Sequence, residues 1–259
     1  MIDIRKAKEV FDDYVKNYSP NNKKIKLKID HIKRVADISK DMATKLKLPK
    51  EDIELAELIG LLHDIGRFEQ VKQYNTFSDK DSINHGELGV KILFEDGLIR
   101  KFLPETTFDN IIKKAILNHN KSKIEDGLNE RELIHAKIIR DSDKTDIFYV
   151  ILHEDVKACY ETDNMSKEII TPEIYREFVE EHSINYANRK NGADTLVCHF
   201  AYVFDYNFDY GLKVLNDKEY IDKLYNSFSF EDENTQKICD SVYQITKEYM
   251  DKKINNTLV

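Results

Sequence analysis

The sequence contains few of the residues that turn a chain. Only four prolines and eight glycines occur in 259 residues, which is too few for the many short strands of a sandwich or barrel. Apolar residues instead recur at helical spacing along most of the chain. No internal repeat or low-complexity linker divides it. The sequence therefore predicts a single all-α domain over residues 1–259, with a core of about 25–155 and a C-terminal helical extension of about 171–256.

Cysteine pairs and targeting segments are also missing. The three cysteines, Cys159, Cys198 and Cys239, lie far apart and form no CxxC pair, which argues against a zinc knuckle and a disulfide framework. The first residues lack the apolar core and cleavage site of a signal peptide, and no apolar run approaches membrane-spanning length. We expect a cytoplasmic protein with reduced thiols and no membrane partner.

The chain carries no block of charge of one sign. Its formal charge is -8, and lysines and arginines are scattered among the acids, so duplex nucleic acid is not an expected partner. The densest basic cluster is Lys23, Lys24, Lys26 and Lys28. Its simplest interpretation is a solvated turn before a helix, although such a cluster could also meet a phosphate.

The most informative stretch is the histidine–aspartate doublet His63-Asp64 at the end of an apolar helical pattern. We predict a helix from about Glu51 to Asp64, with Gly66 as the residue that ends it. Adjacent residues in mid-helix point about 100° apart and cannot both face one ion. A helix end relaxes this constraint, and the carboxylate can then join the histidine on one ion or bridge to a second.

Two further histidines are predicted in the first turns of helices. Asp30 is the expected cap of a helix with His31 in its first turn, and Ser82 or Asn84 is the expected cap of a helix with His85 in its first turn. Imidazoles at helix ends are free to converge with ligands from other elements. They therefore join the doublet as candidate metal ligands.

The last two candidates are His119 and Asp143. His119 ends an apolar helical pattern over residues 109–119, and Asp143 lies in a long helical pattern over residues 130–157. The segment 140–146 places three acids in an otherwise apolar stripe, which is costly unless the acids are paired or coordinate a cation. Four imidazoles and two carboxylates suit Fe, Mn, Zn, Co or Mg. Four other histidines are assigned to packing or the surface: His135, His153, His182 and His199.

These positions resemble the pattern of the HD-domain metal-dependent phosphohydrolase superfamily, over roughly residues 25–150. The resemblance lies in three segments: Lys28-Ile29-Asp30-His31, Leu61-Leu62-His63-Asp64-Ile65-Gly66-Arg67 and Asp141-Ser142-Asp143-Lys144-Thr145-Asp146. It implies a helical HD-domain bundle that holds an ion with His31, His63, Asp64 and Asp143. In that motif the carboxylate before the lysine is the ligand, which selects Asp143 over the two neighbouring acids.

His85 and His119 resemble the two additional histidines of the two-metal members, such as the HD-GYP cyclic dinucleotide phosphodiesterases. The GYP signature is missing, so that substrate does not carry over. The resemblance implies two divalent ions bridged by Asp64, chosen from Fe, Mn, Zn, Co, Ni and Mg. It also implies hydrolysis of a small phosphomonoester or phosphodiester, of a nucleotide or cyclic nucleotide, by a metal-activated water.

Residues around the expected ions are candidates for binding substrate. Arg67 follows the doublet and is expected to meet the phosphoryl group in catalysis, with a structural salt bridge as its alternative. Lys28 and Lys144 are weaker cationic candidates. Gln70 and Asn120 could hydrogen-bond a base or sugar, although polar loop residues usually face water.

Two other functions remain open at this point. HD-like folds with the same six ligands include mixed-valent di-iron oxygenases, and a metal-containing nucleotide sensor would need no turnover. The polar stretch 68–82 is predicted to be a loop that can close over substrate. The aromatic run from Phe200 to Tyr210 is predicted to be core, with a pocket or a dimer face, and so a homo-oligomer, as the alternative.

Overall fold

The computed structural model describes residues 2–160 and 162–256, and this part of the chain is all-α with no strand. The predicted fold class is therefore confirmed. None of the described helices is both long enough and apolar enough to cross a membrane.

The chain folds into two compact units, with the division between Asp146 and Ile147. Each unit has its own apolar core: that of the first extends from Ile2 to Ile139, and that of the second from Phe148 to Met250. The division leaves the single-domain description, with a C-terminal extension from about 171, as a prediction.

The first unit is built from α1–α7 and the beginning of α8. The helices are α1 Ile4–Val15, α2 Lys23–Lys45, α3 Lys50–Leu62, α4 Ile65–Tyr74, α5 His85–Val90, α6 Ile99–Phe102, α7 Asp109–His119 and α8 Glu130–His153. A π-helical turn, Lys91–Glu95, follows α5 directly.

The second unit begins in α8, and its described residues form six more helices. They are α9 Val156–Tyr160, α10 Pro172–Arg176, α11 Gly192–Ala201, α12 Asp209–Asp217, α13 Tyr220–Asn226 and α14 Glu233–Asn256. A π-helical turn, Glu177–Glu181, follows α10. Phe200 is buried in the core of this unit, and Tyr202, Phe204 and Tyr206 pack against that core while partly buried. The core interpretation of the aromatic run therefore holds for these four side chains.

Helix α2 begins earlier than predicted. The side-chain oxygen of Asn22 accepts a hydrogen bond from the backbone N–H of Lys24, so Asn22 is the cap and Asp30 is not. Ile25 is buried in the first turn of the helix, which shows that the apolar face extends upstream of the predicted start. His31 consequently lies in the middle of α2, and the lysine cluster lies in its first turns and not in a turn before it.

Two predictions for residues 64–82 were wrong: Gly66 does not end a helix, and residues 68–74 of the predicted loop 68–82 are helical. Helix α3 ends at the doublet, but α4 starts immediately at Ile65 and continues until Asn75, whose left-handed φ of 52° ends it. Gly66 lies inside α4 and does not stop a helix. A Cβ at Gly66 would lie only 2.3 Å from the backbone oxygen of His85. The glycine therefore permits the close approach of α4 to α5.

A second glycine brings α2 close to α3. A Cβ at Gly60 would lie 2.6 Å from the Cα of Ala36. The close packing places His31 of α2 beside His63 at the end of α3, with ring centroids 5.5 Å apart. Side chains from distant parts of the sequence are thus brought to one place by small residues at helix crossings.

Candidate metal centre

Six buried or partly buried side chains meet inside the first unit. They come from the middle of α2, the α3–α4 junction, the first residue of α5, the last residue of α7 and the middle of α8: His31, His63, Asp64, His85, His119 and Asp143. Their donor atoms form three overlapping groups, and within each group all atoms lie within 4.8 Å of one another. All six sequence-predicted ligands are therefore neighbours in the fold.

The two carboxylate oxygens of Asp64 face different histidines. Oδ2 lies 3.6 Å from Nε2 of His31 and 3.7 Å from Nε2 of His63. Oδ1 lies 3.3 Å from Nε2 of His85 and 3.6 Å from Nε2 of His119. The two oxygens therefore face separate pairs of imidazoles, which is the arrangement that a bridging carboxylate needs, and Oδ2 is also bonded to Lys28.

The acids of α8 have different neighbours. Oδ1 of Asp143 lies 3.1 Å from Nε2 of His31 and 3.7 Å from Nε2 of His63. Asp146 instead accepts a hydrogen bond from Nδ1 of His31 at 2.7 Å, and it also binds the guanidinium of Arg34. Asp143 thus shares the Nε2 side of the imidazoles with Asp64, whereas Asp146 lies behind His31.

All four imidazoles are held through their Nδ1 atoms. The Nδ1 atoms of His63 and His119 contact the backbone oxygens of Gly60 and Ile116, at 2.7 and 2.6 Å. A carbonyl oxygen carries no proton, so the nitrogen must be the donor. The Nδ1 atoms of His31 and His85 meet carboxylates in the same way. With Nδ1 protonated, a neutral imidazole presents its Nε2 lone pair to the cluster.

This donor set fits divalent cations. Among the residues that the structure describes, Nε2 of His31 and Nε2 of His63 are buried without a hydrogen-bond partner. The Nε2 atoms of His85 and His119 face each other at 2.9 Å. Two lone pairs in that position repel each other unless a cation or proton lies between them. Neutral imidazole nitrogens with carboxylates are ligands that Zn and several other divalent metals accept.

Electrostatics keeps the central carboxylates ionised. Burial by itself would raise the pKa of Asp64, but the neighbouring ammonium of Lys28 holds it well below its usual range. Burial also opposes ionisation of Asp143, whose pKa is nevertheless lowered well below its usual range when the facing Nε2 atoms of His31 or His63 carry a proton. Burial lowers the pKa of His85 to about 4, so this imidazole is neutral at pH 7. A neutral imidazole is the form that binds metal.

Two of the predicted substrate-binding residues, Lys28 and Arg67, lie beside the carboxylate of Asp64. Nζ of Lys28 is 2.6 Å from Oδ2 of Asp64, and Nε of Arg67 is 3.6 Å from Oδ1. Two cationic side chains thus flank the two oxygens of the central carboxylate. Lys144 is partly buried in α8 next to Asp143.

The two amides are bonded within the protein. Gln70 is fully buried, its Oε1 accepts from Arg67, and its Nε2 donates to Asp79, Ser82 and the backbone oxygen of Ile83. Because no hydrogen-bonding capacity of this amide faces the surface, a substrate role for Gln70 is disfavoured. The Nδ2 group of Asn120 binds Asp79 and Asn84, although this side chain is partly exposed.

Sequence reasoning missed one residue that organises this region. Asp79 lies in the segment predicted to be a polar loop, and its carboxylate accepts hydrogen bonds from both His85 and Arg67. No local pattern distinguishes it from Asp81 in the same loop. Only the packing of that loop against α4 and α5 reveals the difference.

The fold and the site define a helical protein with a buried cluster of imidazoles and carboxylates that suits divalent metals. Comparison with models of protein families gives one match. Residues 29–147 match the model described as HD domain. Residues 29–147 therefore form an HD domain, which confirms the resemblance stated from sequence over this segment. HD domains bind divalent metals, and the match suggests the superfamily of metal-dependent hydrolases. Searches of curated proteins and of solved structures found no match.

Proposed function

We propose that this protein is a metal-dependent phosphohydrolase that cleaves a phosphomonoester or phosphodiester of a nucleotide or cyclic nucleotide. One observation carries the proposal: the cations of Lys28 and Arg67 flank the two oxygens of Asp64, directly beside the cluster of imidazole Nε2 atoms. An anionic phosphoryl group is the substrate moiety that such cations bind.

In the proposed site, one ion is held by His31, His63, Asp64 and Asp143. The second is held by Asp64, His85 and His119. Divalent ions at these positions lower the pKa of a bound water and polarise phosphoryl oxygens. The number and the identity of the ions belong to the proposal.

The charges around the cluster explain why the ions are required for an anionic substrate. Asp64, Asp143 and Asp146 all lie within or directly behind the imidazole cluster. An anion approaching these carboxylates alone would be repelled. With cations bound, Lys28 and Arg67 add to an attractive field, and Arg67 can offer a planar guanidinium to phosphoryl oxygens.

The protein also holds the proposed ligands rigidly before any substrate arrives. Each imidazole donates its Nδ1 proton to a neighbouring oxygen atom, so its Nε2 direction is set by the fold. The ligand histidines are almost fully buried, which keeps competing water away from their Nε2 atoms. Little reorganisation is therefore needed when the reaction begins.

A panel assay tests the proposal. Nucleotides, cyclic nucleotides and generic phosphoesters are incubated with protein loaded with Mn²⁺, Co²⁺ or Ni²⁺, and released phosphate or nucleoside is measured. We expect the parent to turn over at least one of these substrates. We expect Asp64→Asn to lose both this activity and at least one equivalent of bound metal. His153→Gln is the matched control, because His153 is exposed, belongs to the second unit and donates from Nδ1 to the backbone oxygen of Tyr149.

Two results would reject the hydrolase assignment in favour of its rivals. Tightly bound iron with O₂ uptake on a polyol or organophosphonate would indicate a di-iron oxygenase. Nucleotide binding without turnover under any metal, and equally strong in Asp64→Ala, would indicate a sensor.

A further inference from the structure

The carboxylate of Asp79 is bonded both to a candidate metal ligand, His85, and to a candidate phosphate-binding residue, Arg67. Oδ2 accepts from Nδ1 of His85 at 2.6 Å, and Oδ1 accepts from Nη1 of Arg67 at 3.0 Å. Gln70 and Asn120 donate to the same group, at 2.9 and 3.2 Å. Four side chains from α4, α5 and the residue after α7 therefore converge on a residue of the loop between α4 and α5.

The bond to His85 determines which nitrogen faces the cluster. A carboxylate accepts only, so it holds the proton of His85 on Nδ1 and leaves the Nε2 lone pair directed toward Oδ1 of Asp64, 3.3 Å away. His119 obtains the same orientation from a backbone oxygen. Of the two histidines that face Oδ1 of Asp64, only His85 is oriented by a side chain, and that side chain is Asp79.

The bond to Arg67 determines which edge of the guanidinium is left for a ligand. Nη1 is occupied by Asp79, by Oε1 of Gln70 and by the backbone oxygen of Phe77. Nε is buried and has no hydrogen-bond partner within the described part of the chain. It lies on the side of Asp64, 3.6 Å from Oδ1. The guanidinium is thus anchored at one end, and a donor at the other end remains unused beside the cluster.

The loop itself is built to present Asp79. Ser78 and Asp81 bond to each other through Ser78 Oγ at 2.6 Å, and Ser82 Oγ donates to the backbone oxygen of Ser78. These bonds close a turn around position 79. The carboxylate of Asp79 points inward to the bonds described above, whereas Asp81 is exposed.

We infer that Asp79 is a positioning residue that couples ion binding at His85 to anion binding at Arg67. The inference rests on the proposed function for its ions and its phosphoryl ligand. Loss of the carboxylate removes the acceptor that holds the proton of His85 on Nδ1, and it also removes one of the three acceptors that orient Nη1 of Arg67. Ion affinity on the His85 side and affinity for a phosphate group therefore decrease in the same variant.

The experiment uses Co²⁺ and inorganic phosphate as probes, so that no turnover is needed. Calorimetric titration measures the number and affinity of Co²⁺ equivalents in the parent, Asp79→Asn and Asp81→Asn, and the visible absorption of Co²⁺ reports its ligands. Phosphate is then titrated into each Co²⁺-loaded protein. Asp81→Asn is the matched control, since it removes the same charge from the same loop without touching His85 or Arg67. Its new amide oxygen can still accept the hydrogen bond of Ser78 Oγ, so the turn around position 79 is kept.

We expect Asp79→Asn to bind one of two Co²⁺ equivalents about tenfold or more weakly, which is the usual cost of removing a partner behind a ligand histidine. We also expect a weaker phosphate affinity, with the control unchanged in both. An Arg67→Gln variant should keep both equivalents and lose phosphate affinity, and adding Asp79→Asn to it should reduce phosphate affinity by less than in the parent.

Folded Asp79→Asn that binds both Co²⁺ equivalents and phosphate within twofold of the parent would overturn the inference. So would a parent that binds a single Co²⁺ equivalent. If Asp79→Asn does not fold, Asp79→Glu makes the same comparison, because it keeps the charge but displaces the carboxylate; unchanged affinities in that variant also overturn it. A parent that hydrolyses no phosphoester would defeat the proposed function alone, since the Co²⁺ result stands apart from turnover.

Discussion

Nζ of Lys28 lies 2.6 Å from Oδ2 of Asp64, on the side of the carboxylate that faces His31 and His63. The lysine is largely buried and neutralises Asp64 in the structure. Its charge helps an anionic substrate but opposes a cation at the same oxygen. Lys28 therefore has opposite effects on the two kinds of ligand.

Replacing Lys28 with methionine should separate those effects. We expect Co²⁺ affinity to rise about fivefold, equivalent to about 1 kcal/mol, because a like charge is removed from the neighbourhood of the ion. Phosphate affinity of the loaded protein should decrease. Calorimetry measures both, with Lys26→Met as the control, since Lys26 lies in the same helix and is exposed. Weaker Co²⁺ binding in Lys28→Met would contradict this account.

Asp146 should matter for ion binding without being a ligand. Its carboxylate holds Nδ1 of His31 at 2.7 Å and pairs with Arg34. We expect Asp146→Asn to weaken Co²⁺ binding about 10- to 100-fold, although the new amide oxygen can still accept from Arg34. Asp37→Asn, at an exposed position in α2, should bind Co²⁺ as the parent does. Parental affinity in Asp146→Asn would show that the orientation of His31 does not depend on this bond.

The two glycines at the crossing of α4 and α5 should differ in their tolerance of a methyl group. A Cβ at Gly66 would meet backbone atoms, 2.3 Å from the oxygen of His85 and 2.7 Å from the nitrogen of Gly89, whereas a Cβ at Gly89 would meet a side-chain methyl of Ile65 at 3.4 Å. We expect Gly66→Ala to lower the free energy of unfolding by about 1–3 kcal/mol and to weaken one Co²⁺ equivalent, because the helices must separate.

Gly89→Ala is the control for that pair and should change stability by less than about 1 kcal/mol. Chemical denaturation and Co²⁺ titration measure the two effects. Equal destabilisation by the two substitutions would contradict the assignment of Gly66 to the close helix approach.

His199 in the second unit should make stability depend on pH. Burial lowers the pKa of its imidazole to about 3, with Arg189 acting in the same direction, and the pKa in an unfolded chain is about 6.5. Between these values the unfolded state binds one more proton. Stability contributed by neutral His199 is therefore complete above pH 6.5 and decreases as the pH falls, by up to about 1.4 kcal/mol per unit.

The measurement compares unfolding free energies of the parent and His199→Gln between pH 7 and pH 5. We expect the parent to lose more stability over this range than the variant. His153→Gln removes an exposed histidine and should retain the parental slope. If the unfolding free energies of the parent and His199→Gln changed equally with pH, the low pKa of His199 would be contradicted.

Several features could be predicted from local patterns because their causes are local. Asn84 caps the helix that begins with His85 through bonds to the backbone N–H groups of Gly86 and Glu87. Helix α7 occupies the predicted residues 109–119. The doublet motif and its order relative to the other candidates also predicted the HD domain, which the family comparison confirms.

Other features could not be predicted, because the type of a residue does not determine which other residue it contacts in the fold. The lysine cluster before His31 is interpreted as a solvated turn, although Ile25 within it is buried in α2. Gly66 is expected to end a helix, because glycine serves both to end helices and to let them approach closely. The loop that contains Asp79 and Asp81 offers two similar acids. Which one faces inward depends on contacts with α4 and α5.

The sequence by itself therefore determined the helical class, the HD domain of residues 29–147 and the residue types of a candidate metal centre, because periodicity, helix caps and motif order are properties of the linear sequence. Tertiary structure alone decided the convergence of these residues and the partners that orient them. His31 and Asp146 are 115 residues apart, and a hydrogen bond across that separation exists only after helix packing has placed its donor and acceptor within about 3 Å of each other.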